Sequence, residues 1–416
     1  MFRRRLPRSA APLLGGVLIG LLAAGVVVAV RPAPGTGSAT PGTAAATSTS
    51  SAAEPTAPPD PLAVCAPAVA ALAPRDRLAQ RLVVGVDAAD PAAVVATVRA
   101  TQVGGIFIGG NATALLRDQA LDKVQDVSRT PLAVSVDDEG GRVQRIDGLD
   151  GSLPSARRMA ATMTPQQVRE LARTRGKALA ARGVTVDFAP VVDVGKQPAN
   201  SVIGDRAFSD DPAVAARYAG AFADGLRDAG VLPVLKHFPG HGHASGDSHK
   251  GRVTTPPLAD LKAADLRPYT DLLDASPVAV MIGHLDVPGL TDGLPTSLTP
   301  ATYRLLRDDY GFDGLVVTDD LGAMKAVTGT FTLPEAVQKA LAAGADQALW
   351  SSGAQDPAAV GSLLDGLEKA LADGRLDASD HLAAVHSRFN DLYSAHHLLK
   401  KEPKSWHFMV TGLVGL

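Results

Sequence analysis

With a single cysteine, Cys65, in 416 residues, the chain can form no internal disulfide, so its cysteine usage carries no information on compartment. A surplus of charge is also missing: 40 Lys and Arg stand against 43 Asp and Glu, a formal net charge of −3. That balance argues against an electrostatic grip on nucleic acid or on anionic lipid by the folded part, and it suits a neutral substrate. The chain is 46% hydrophobic and 20% charged, which fits one large domain with appendages better than two equal domains.

The long uncharged run that does occur lies at the start. Arg3, Arg4, Arg5 and Arg8 precede an apolar stretch from Ala10 to Val30, which at about 1.5 Å per residue spans the roughly 30 Å of a bilayer core. The arginines are expected to stay cytoplasmic. The run ends in Val28-Ala29-Val30-Arg31-Pro32, a poor match to a small-x-small cleavage site, and so fits an uncleaved anchor better than a cleaved signal peptide. Cys65 follows a long polar spacer and Leu62-Ala63-Val64, which disfavours a lipoprotein. From Arg31 to about Asp60 the chain is almost wholly Ala, Pro, Thr, Ser and Gly, a composition expected to be disordered. Such a tether has a reach on the order of 30 Å. The sequence therefore divides into an anchor or signal peptide (1–30), a linker (31–60), a catalytic domain (61–397) and a C-terminal tail of no assigned role (398–416).

Within that domain, short β-branched runs alternate with longer amphipathic segments. Eight runs are predicted as strands: Leu82–Val86, Gly105–Ile108, Pro131–Val136, Val184–Pro190, Val231–Lys236, Pro277–Ile282, Gly314–Thr318 and Ala345–Trp350. Helical spacing marks Pro91–Thr101, Gln166–Arg182, Pro212–Ala229, Pro300–Tyr310 and Leu333–Ala343. An open doubly wound sheet would alternate in the same way. The polar residues at the strand ends favour a single (β/α)8 barrel of the TIM type: Asp87, Asn111, Asp137, Asp187 with Asp193, Lys236 with His237, His284 and Asp319 gather where barrel enzymes place their chemistry.

Three stretches carry chemistry. The first, Lys236-His237-Phe238-Pro239-Gly240-His241-Gly242-His243-Ala244-Ser245-Gly246-Asp247-Ser248-His249-Lys250, packs four histidines among three glycines, which predicts a mobile loop. Within it, Asp247 can hold the His249 imidazole by one nitrogen and leave the other to exchange a proton, an acid/base dyad. A metal site built on His241, His243, Asp247 and His249 is the rival, although the histidines crowd into one loop. The second stretch, Gly311 to Gly322, is an apolar strand ending on Asp319, a carboxylate delivered from a rigid support as a nucleophile requires. A helix N-cap is the ordinary alternative for such an Asp. On an extended strand Asp320 would turn away from the pocket. The third, Val136 to Arg145, gathers acids and arginines at a Gly-Gly turn, suited to gripping sugar hydroxyls or to an ordinary salt-bridged loop.

Taken together, KHFPGHG with DSH (Lys236–His249), GFDGLVVTD (Gly311–Asp319), VDDEGGRVQR (Val136–Arg145), FAPVVD (Phe188–Asp193), IGDR (Ile203–Arg206) and PTSLTP (Pro295–Pro300) resemble the single-domain bacterial β-N-acetylglucosaminidases of glycoside hydrolase family 3, over roughly Leu78 to Trp350. The resemblance implies Asp319 as nucleophile, His249 with Asp247 as acid/base, and net retention. It implies that Asp137, Arg145, Arg206, Lys236 and His237 hold the terminal N-acetylglucosamine. Asp138 stands where relatives commonly have Gln. Family members with a second α/β domain usually take their acid from it; no room for one follows Trp350. The expected reaction is hydrolysis of terminal non-reducing β-linked N-acetylglucosamine from peptidoglycan fragments by a monomer that needs no cofactor or metal. The charge balance points to no nucleic acid, and the N-terminal arginines and apolar run to an extracytoplasmic enzyme that touches the membrane only through its N-terminus. The alternatives are a phosphorylase or β-glucosidase of the same family, a metallohydrolase, or a silent wall-binding protein. Cell fractionation tests the location: the account expects the chain with membranes or outside the cell, and recovery in the cytosol would contradict it.

Overall fold

The eight apolar runs lie side by side as parallel strands in the computed structural model, which describes residues 71–376 except 276 and 353–355. The expected anchor, linker and C-terminal tail lie outside the described residues, as do the two ends of the expected catalytic domain. Among the described residues no helix is long and apolar enough to cross a membrane. The strands are β1 (Leu82–Val86), β2 (Gly105–Ile108), β3 (Ala133–Val136), β4 (Val186–Asp187), β5 (Leu232–Phe238), β6 (Ala279–Ile282), β7 (Leu315–Thr318) and β8 (Ala348–Trp350). They pair in the order β7-β6-β5-β4-β3-β2-β1-β8. The remaining seam is closed by Val317 bridging in parallel to Gln347, where Thr318 N donates to Gln347 O at 3.0 Å. The architecture is the expected TIM-type barrel.

Alternation along each strand divides the core into two. Val83, Phe107, Val186, Val234, Met281, Val317 and Leu349 point inward and fill the barrel, while Val84, Ile106, Val134, Leu235, Val280, Val316 and Trp350 point outward under the helices. Both faces are covered, which is why these strands read as continuous apolar runs. The observed β4 is shorter than the expected Val184–Pro190, since Pro190 has no N–H to donate, although Phe188 N still donates to Val136 O at 2.8 Å.

Four of the expected helices form within a residue of their expected bounds, and three of these start at an acceptor followed by proline. In α1 (Pro91–Thr101) Asp90 accepts from Ala93 N; in α2 (Pro165–Ala181) Thr164 and Gln167 form a reciprocal capping box; in α3 (Pro212–Asp228) Asp211 accepts from Ala213 N and Val214 N. Helix α4 (Leu333–Ala343) starts at Thr332, whose N and Oγ1 donate to Glu335 Oε2 at 2.9 and 2.8 Å, and α5 (Pro357–Ala372), which was not among the expected helices, starts at Asp356, which accepts from Ala358 N. The expected helix Pro300–Tyr310 is α-helical only to Arg304 and widens to a π-turn over Leu305–Asp309, with Leu305 and Leu306 both buried.

Helices α2 and α3 cross closely because Gly225 leaves no side chain at the contact. A Cβ there would lie 2.3 Å from Arg169 O and 2.7 Å from Ala172 Cβ, whereas one at Gly366 in α5 would meet nothing within 4 Å. Alanine favours a helix over glycine by roughly 1 kcal/mol. Gly366→Ala should therefore raise stability by about that amount, and Gly225→Ala should lower it despite the better propensity. Denaturant melts of both variants check this; a stabilising Gly225→Ala would contradict the close crossing.

Candidate active site

At the C-terminal ends of the strands lies a cavity of about 680 Å³, lined by all eight residues singled out from sequence: Asp137, Arg145, Arg206, Lys236, His237, Asp247, His249 and Asp319. Not every strand-end polar residue joins them. Asp87 and Asn111 are exposed at the surface, and Asp187 is buried beneath the site, where its Oδ1 accepts from Asp138 N at 2.8 Å.

The centre of the binding side is Glu139. Its carboxylate takes Arg206 in bidentate fashion, Nε at 2.8 Å and Nη2 at 2.7 Å, and Lys236 Nζ at 2.7 Å. Lys236 also donates to Asp137 Oδ1 at 2.7 Å, and Arg145 Nη2 lies 3.6 Å from Asp137 Oδ2. Burial by itself would raise the Glu139 carboxyl, but Arg206 and Lys236 outweigh it and hold the group well below the usual carboxylate range. Burial likewise pulls the Lys236 ammonium down, and Asp137 and Glu139 more than restore it, leaving it above its ordinary value. Both cations are thus present, fixed and ready to donate at neutral pH. Lys236 and His237 both reach the cavity although they are adjacent, because the register of β5 on β6 is irregular between Leu235 and Phe238.

His237 is oriented by Asp193. Its Nδ1 lies 2.7 Å from Asp193 Oδ2, which makes Nδ1–H the donor and leaves Nε2 to accept, 3.4 Å from Arg206 Nη2. Asp193 Oδ1 accepts from the backbone N of His241 at 2.7 Å, so one buried carboxylate fixes both the imidazole and the loop behind it.

Asp319 leaves the end of β7 at a bend. Its Oδ1 accepts from Asp320 N at 2.8 Å. Burial would raise this carboxyl, but His237, His284, the Asp320 amide and Lys236 together hold it below its ordinary value, so it is ionised at neutral pH. His284, expected at the rim, is buried behind this strand end between Ser297 Oγ at 2.7 Å and Asp320 O at 3.0 Å, and burial pulls it below its ordinary value against the opposing effect of Asp319. Asp320 also contributes to the cavity wall, contrary to the expectation from an extended strand, because the chain bends at Asp319. Its carboxylate is occupied by Ser351 Oγ and by the amides of Gly322 and Ala323.

In the histidine loop, His249 Nδ1 lies 2.9 Å from Asp247 Oδ1, the pairing expected of the dyad. Burial would raise Asp247, but His249 and Lys250 prevail and lower it. The four histidines do not converge: His237 turns to Asp193, His243 to Asp265 at 2.9 Å and His249 to Asp247, while both ring nitrogens of His241 are buried without a partner. Among the described residues no group of three or more His, Cys, Asp or Glu side chains is arranged to hold a metal ion. The loop also departs from uniform mobility. A Cβ on Gly242 would lie 1.8 Å from Val194 O and one on Gly240 2.4 Å from Asp265 Cβ, so these glycines serve close packing, and the loop reaches the surface at His243 and from Ser245 onward. Glu139 and Asp193 were the functional residues hardest to find from sequence: both are buried anions whose partners come from distant strands.

The chain matches the glycosyl hydrolase family 3 N-terminal domain over residues 75–389. It is 54% identical over 335 residues to the β-hexosaminidase LpqI of Mycobacterium tuberculosis, covering 78% of this chain and 84% of that protein. A family 3 glycosyl hydrolase structure from Mycobacterium smegmatis is 53% identical, covers 77% of this chain and 98% of its own, and superposes with a TM-score of 0.74. A family 3 β-N-acetylglucosaminidase structure from Paenibacillus is 28% identical, covers 78% of this chain and 63% of its own, and gives a TM-score of 0.71.

Glu139 supplies a pH test. Its folded pKa lies below its unfolded value, so its contribution to stability is present above about pH 4.3 and is lost as pH falls through the folded value. Glu139→Gln removes the carboxylate partner of buried Arg206 and leaves Lys236 with Asp137 alone, and should cost on the order of 3 kcal/mol at neutral pH. The variant should also lose less stability than wild type between about pH 4.5 and 3. Equal stability at pH 7, or an unchanged acid limb, would contradict the role assigned to this carboxylate.

Proposed function

The chain belongs to glycoside hydrolase family 3 and is an enzyme of the β-hexosaminidase type; from that premise we propose that it is a retaining exo-β-N-acetylglucosaminidase working through Asp319, His249 and Asp247. The observation that carries this reading is one cavity holding an ionised strand-end carboxylate, Asp319, together with the Asp247–His249 pair.

In this mechanism Asp319 attacks the anomeric carbon as the bond to the leaving oxygen breaks, and His249 gives that oxygen its proton. A covalent glycosyl-enzyme results. His249 then takes a proton from water as the water displaces Asp319, and two inversions yield net retention. Asp247 holds the imidazole by Nδ1 and so favours Nε2 as the exchanging atom. A histidine in this role places no second anion beside the nucleophile, which keeps Asp319 ionised where a nearby carboxylate would raise it. Lys236, Arg206, Asp137, Arg145 and His237 supply donors and acceptors for the hydroxyls and acetamido group of the terminal sugar. The paired charges of this group leave it rigid before substrate arrives, so little reorganisation is required in the transition state.

The substrate in this reading is N-acetylglucosamine at the non-reducing end of peptidoglycan fragments. The near-neutral charge of the chain and the basic, apolar N-terminus followed by a polar linker support it, since they suit a neutral sugar and an enzyme held outside the cytoplasm. All the proposed residues come from one chain, so a monomer suffices.

Replacing the acid separates substrates by leaving group. His249→Ala should lower turnover of a poor leaving group by about 10²-fold or more while an activated nitrophenyl glycoside loses much less at the bond-breaking step. Assays on both substrates, with chelator present, give the answer: equal losses on the two would count against an acid role, and loss of wild-type activity on chelation would favour a metal-dependent hydrolase.

A further inference from the structure

Asp247 and His249 ride on a hairpin, not on a strand, and the contacts that fix this hairpin come from elsewhere in the barrel. Its arms meet at Ser245 and Thr254, where Ser245 N donates to Thr254 O at 2.8 Å and Ser245 Oγ to the same oxygen at 3.0 Å. The second arm continues as a short parallel bridge onto the loop after β6: Asp286 N donates to Val253 O at 2.8 Å and Thr255 N to Asp286 O at 3.0 Å. At the far end of the hairpin, Ser248 O accepts from Ala326 N at 3.0 Å, just beyond the strand that carries Asp319.

The Asp286 side chain closes the stem. Its Oδ2 accepts from Arg252 Nε at 3.1 Å and from Arg252 Nη2, and its Oδ1 accepts from Thr291 Oγ1 and from Gly293 N, each at 3.0 Å. All four donors converge on one carboxylate whose side chain is 9% exposed, while that of Arg252 is 63% exposed. Neither residue is among those lining the cavity. Arg252 sits three residues after His249, so the ion pair grips the hairpin on the side of the imidazole, and the Thr291 and Gly293 contacts hold Asp286 against being drawn toward it.

We propose that Asp286, through Arg252, is a positioning residue for the acid/base: the pair fixes the stem from Ser245 to Thr254 and so fixes where His249 stands relative to the leaving oxygen. The inference rests on the reading of His249 as the acid/base. Its physical basis is the steep dependence of proton transfer on placement, since a displacement of about 1 Å can cost on the order of 10²-fold. Backbone bonds hold the base at Ser245–Thr254 and Val253–Asp286 and touch the tip at Ser248. The Arg252–Asp286 contact adds the side-chain anchor between base and tip, on the arm that follows His249.

The test compares Arg252→Ala, Arg252→Lys and His249→Ala in the full chain. For each, kcat/KM is measured on dinitrophenyl and phenyl β-N-acetylglucosaminides, the first of which departs without needing a proton. Arg252 is exposed, so its truncation leaves the core intact, and thermal melting verifies this. Arg252→Ala should lose on the order of tenfold on the phenyl substrate and little on the dinitrophenyl one, a smaller copy of the His249→Ala pattern. Arg252→Lys, which keeps the charge, should recover part of the loss. Azide, which attacks without help from a base, should raise kcat of Arg252→Ala on the dinitrophenyl substrate. Equal losses on both substrates, or none, while His249→Ala keeps its dependence on the leaving group, overturns the positioning role. If His249→Ala itself lacks that dependence, the acid reading fails and the inference falls with it.

Discussion

The site depends on neutralising buried charge before a substrate arrives. Lys236 and Arg206 are both largely withdrawn from water, and either alone would be costly to hold there as a cation. Glu139 meets both, Asp137 meets the first, and the result is a set of donors whose positions are fixed by ion pairs and not by the sugar. Lys236 also acts on Asp319. Together with His237 and the Asp320 amide it keeps the carboxylate ionised against its own burial, the state a nucleophile needs.

This coupling explains why the residues come from so many strands. Asp137 and Glu139 follow β3, Arg206 and Asp193 follow β4, Lys236 and His237 end β5, and Asp319 ends β7. A closed parallel barrel is the arrangement that brings these ends to one rim, and the hydrogen bonds between β7 and the residues before β8 fix the distance across it. The Asp247–His249 pair stands on the hairpin Ser245–Thr254. In the proposed mechanism, proton transfer at two successive steps asks this element to serve both a departing sugar and an arriving water, so a hairpin anchored at its stem and touched at its tip suits it better than a strand would.

Much of this was legible in the sequence, for physical reasons that differ by element. All eight strands were found because runs such as Leu82–Val86 and Leu315–Thr318 are buried on both faces and stay apolar throughout. Helices were found from their helical spacing, and Asp90, Thr164 and Asp211, each before a proline, cap the first turn of three of them. Asp137, Lys236, His237 and Asp319 stood out because they end strands, Asp247, His249 and Arg145 because they sit beside glycines in charged loops, and Arg206 came only from the family resemblance. Less accessible was anything that depends on a partner far along the chain. Glu139 looked like one acid among three, and its pivotal place emerges only when Lys236 and Arg206 are brought to it over separations of 97 and 67 residues. Gly240 and Gly242 suggested mobility, whereas the reason for them is backbone from Val194 and the side chain of Asp265 pressing against them. Asp286 was invisible for the same reason, since its meaning lies in the hairpin it holds.

The central claim is that Asp319 forms a bond to the sugar. The direct measurement is mass spectrometry of the protein quenched after incubation with a slow, activated fluorosugar analogue of N-acetylglucosamine, followed by digestion and fragmentation. The account predicts one added glycosyl unit, located on Asp319 and absent from Asp319→Ala. An adduct on another carboxylate, or turnover of the analogue with no adduct and an inverted product, would contradict it.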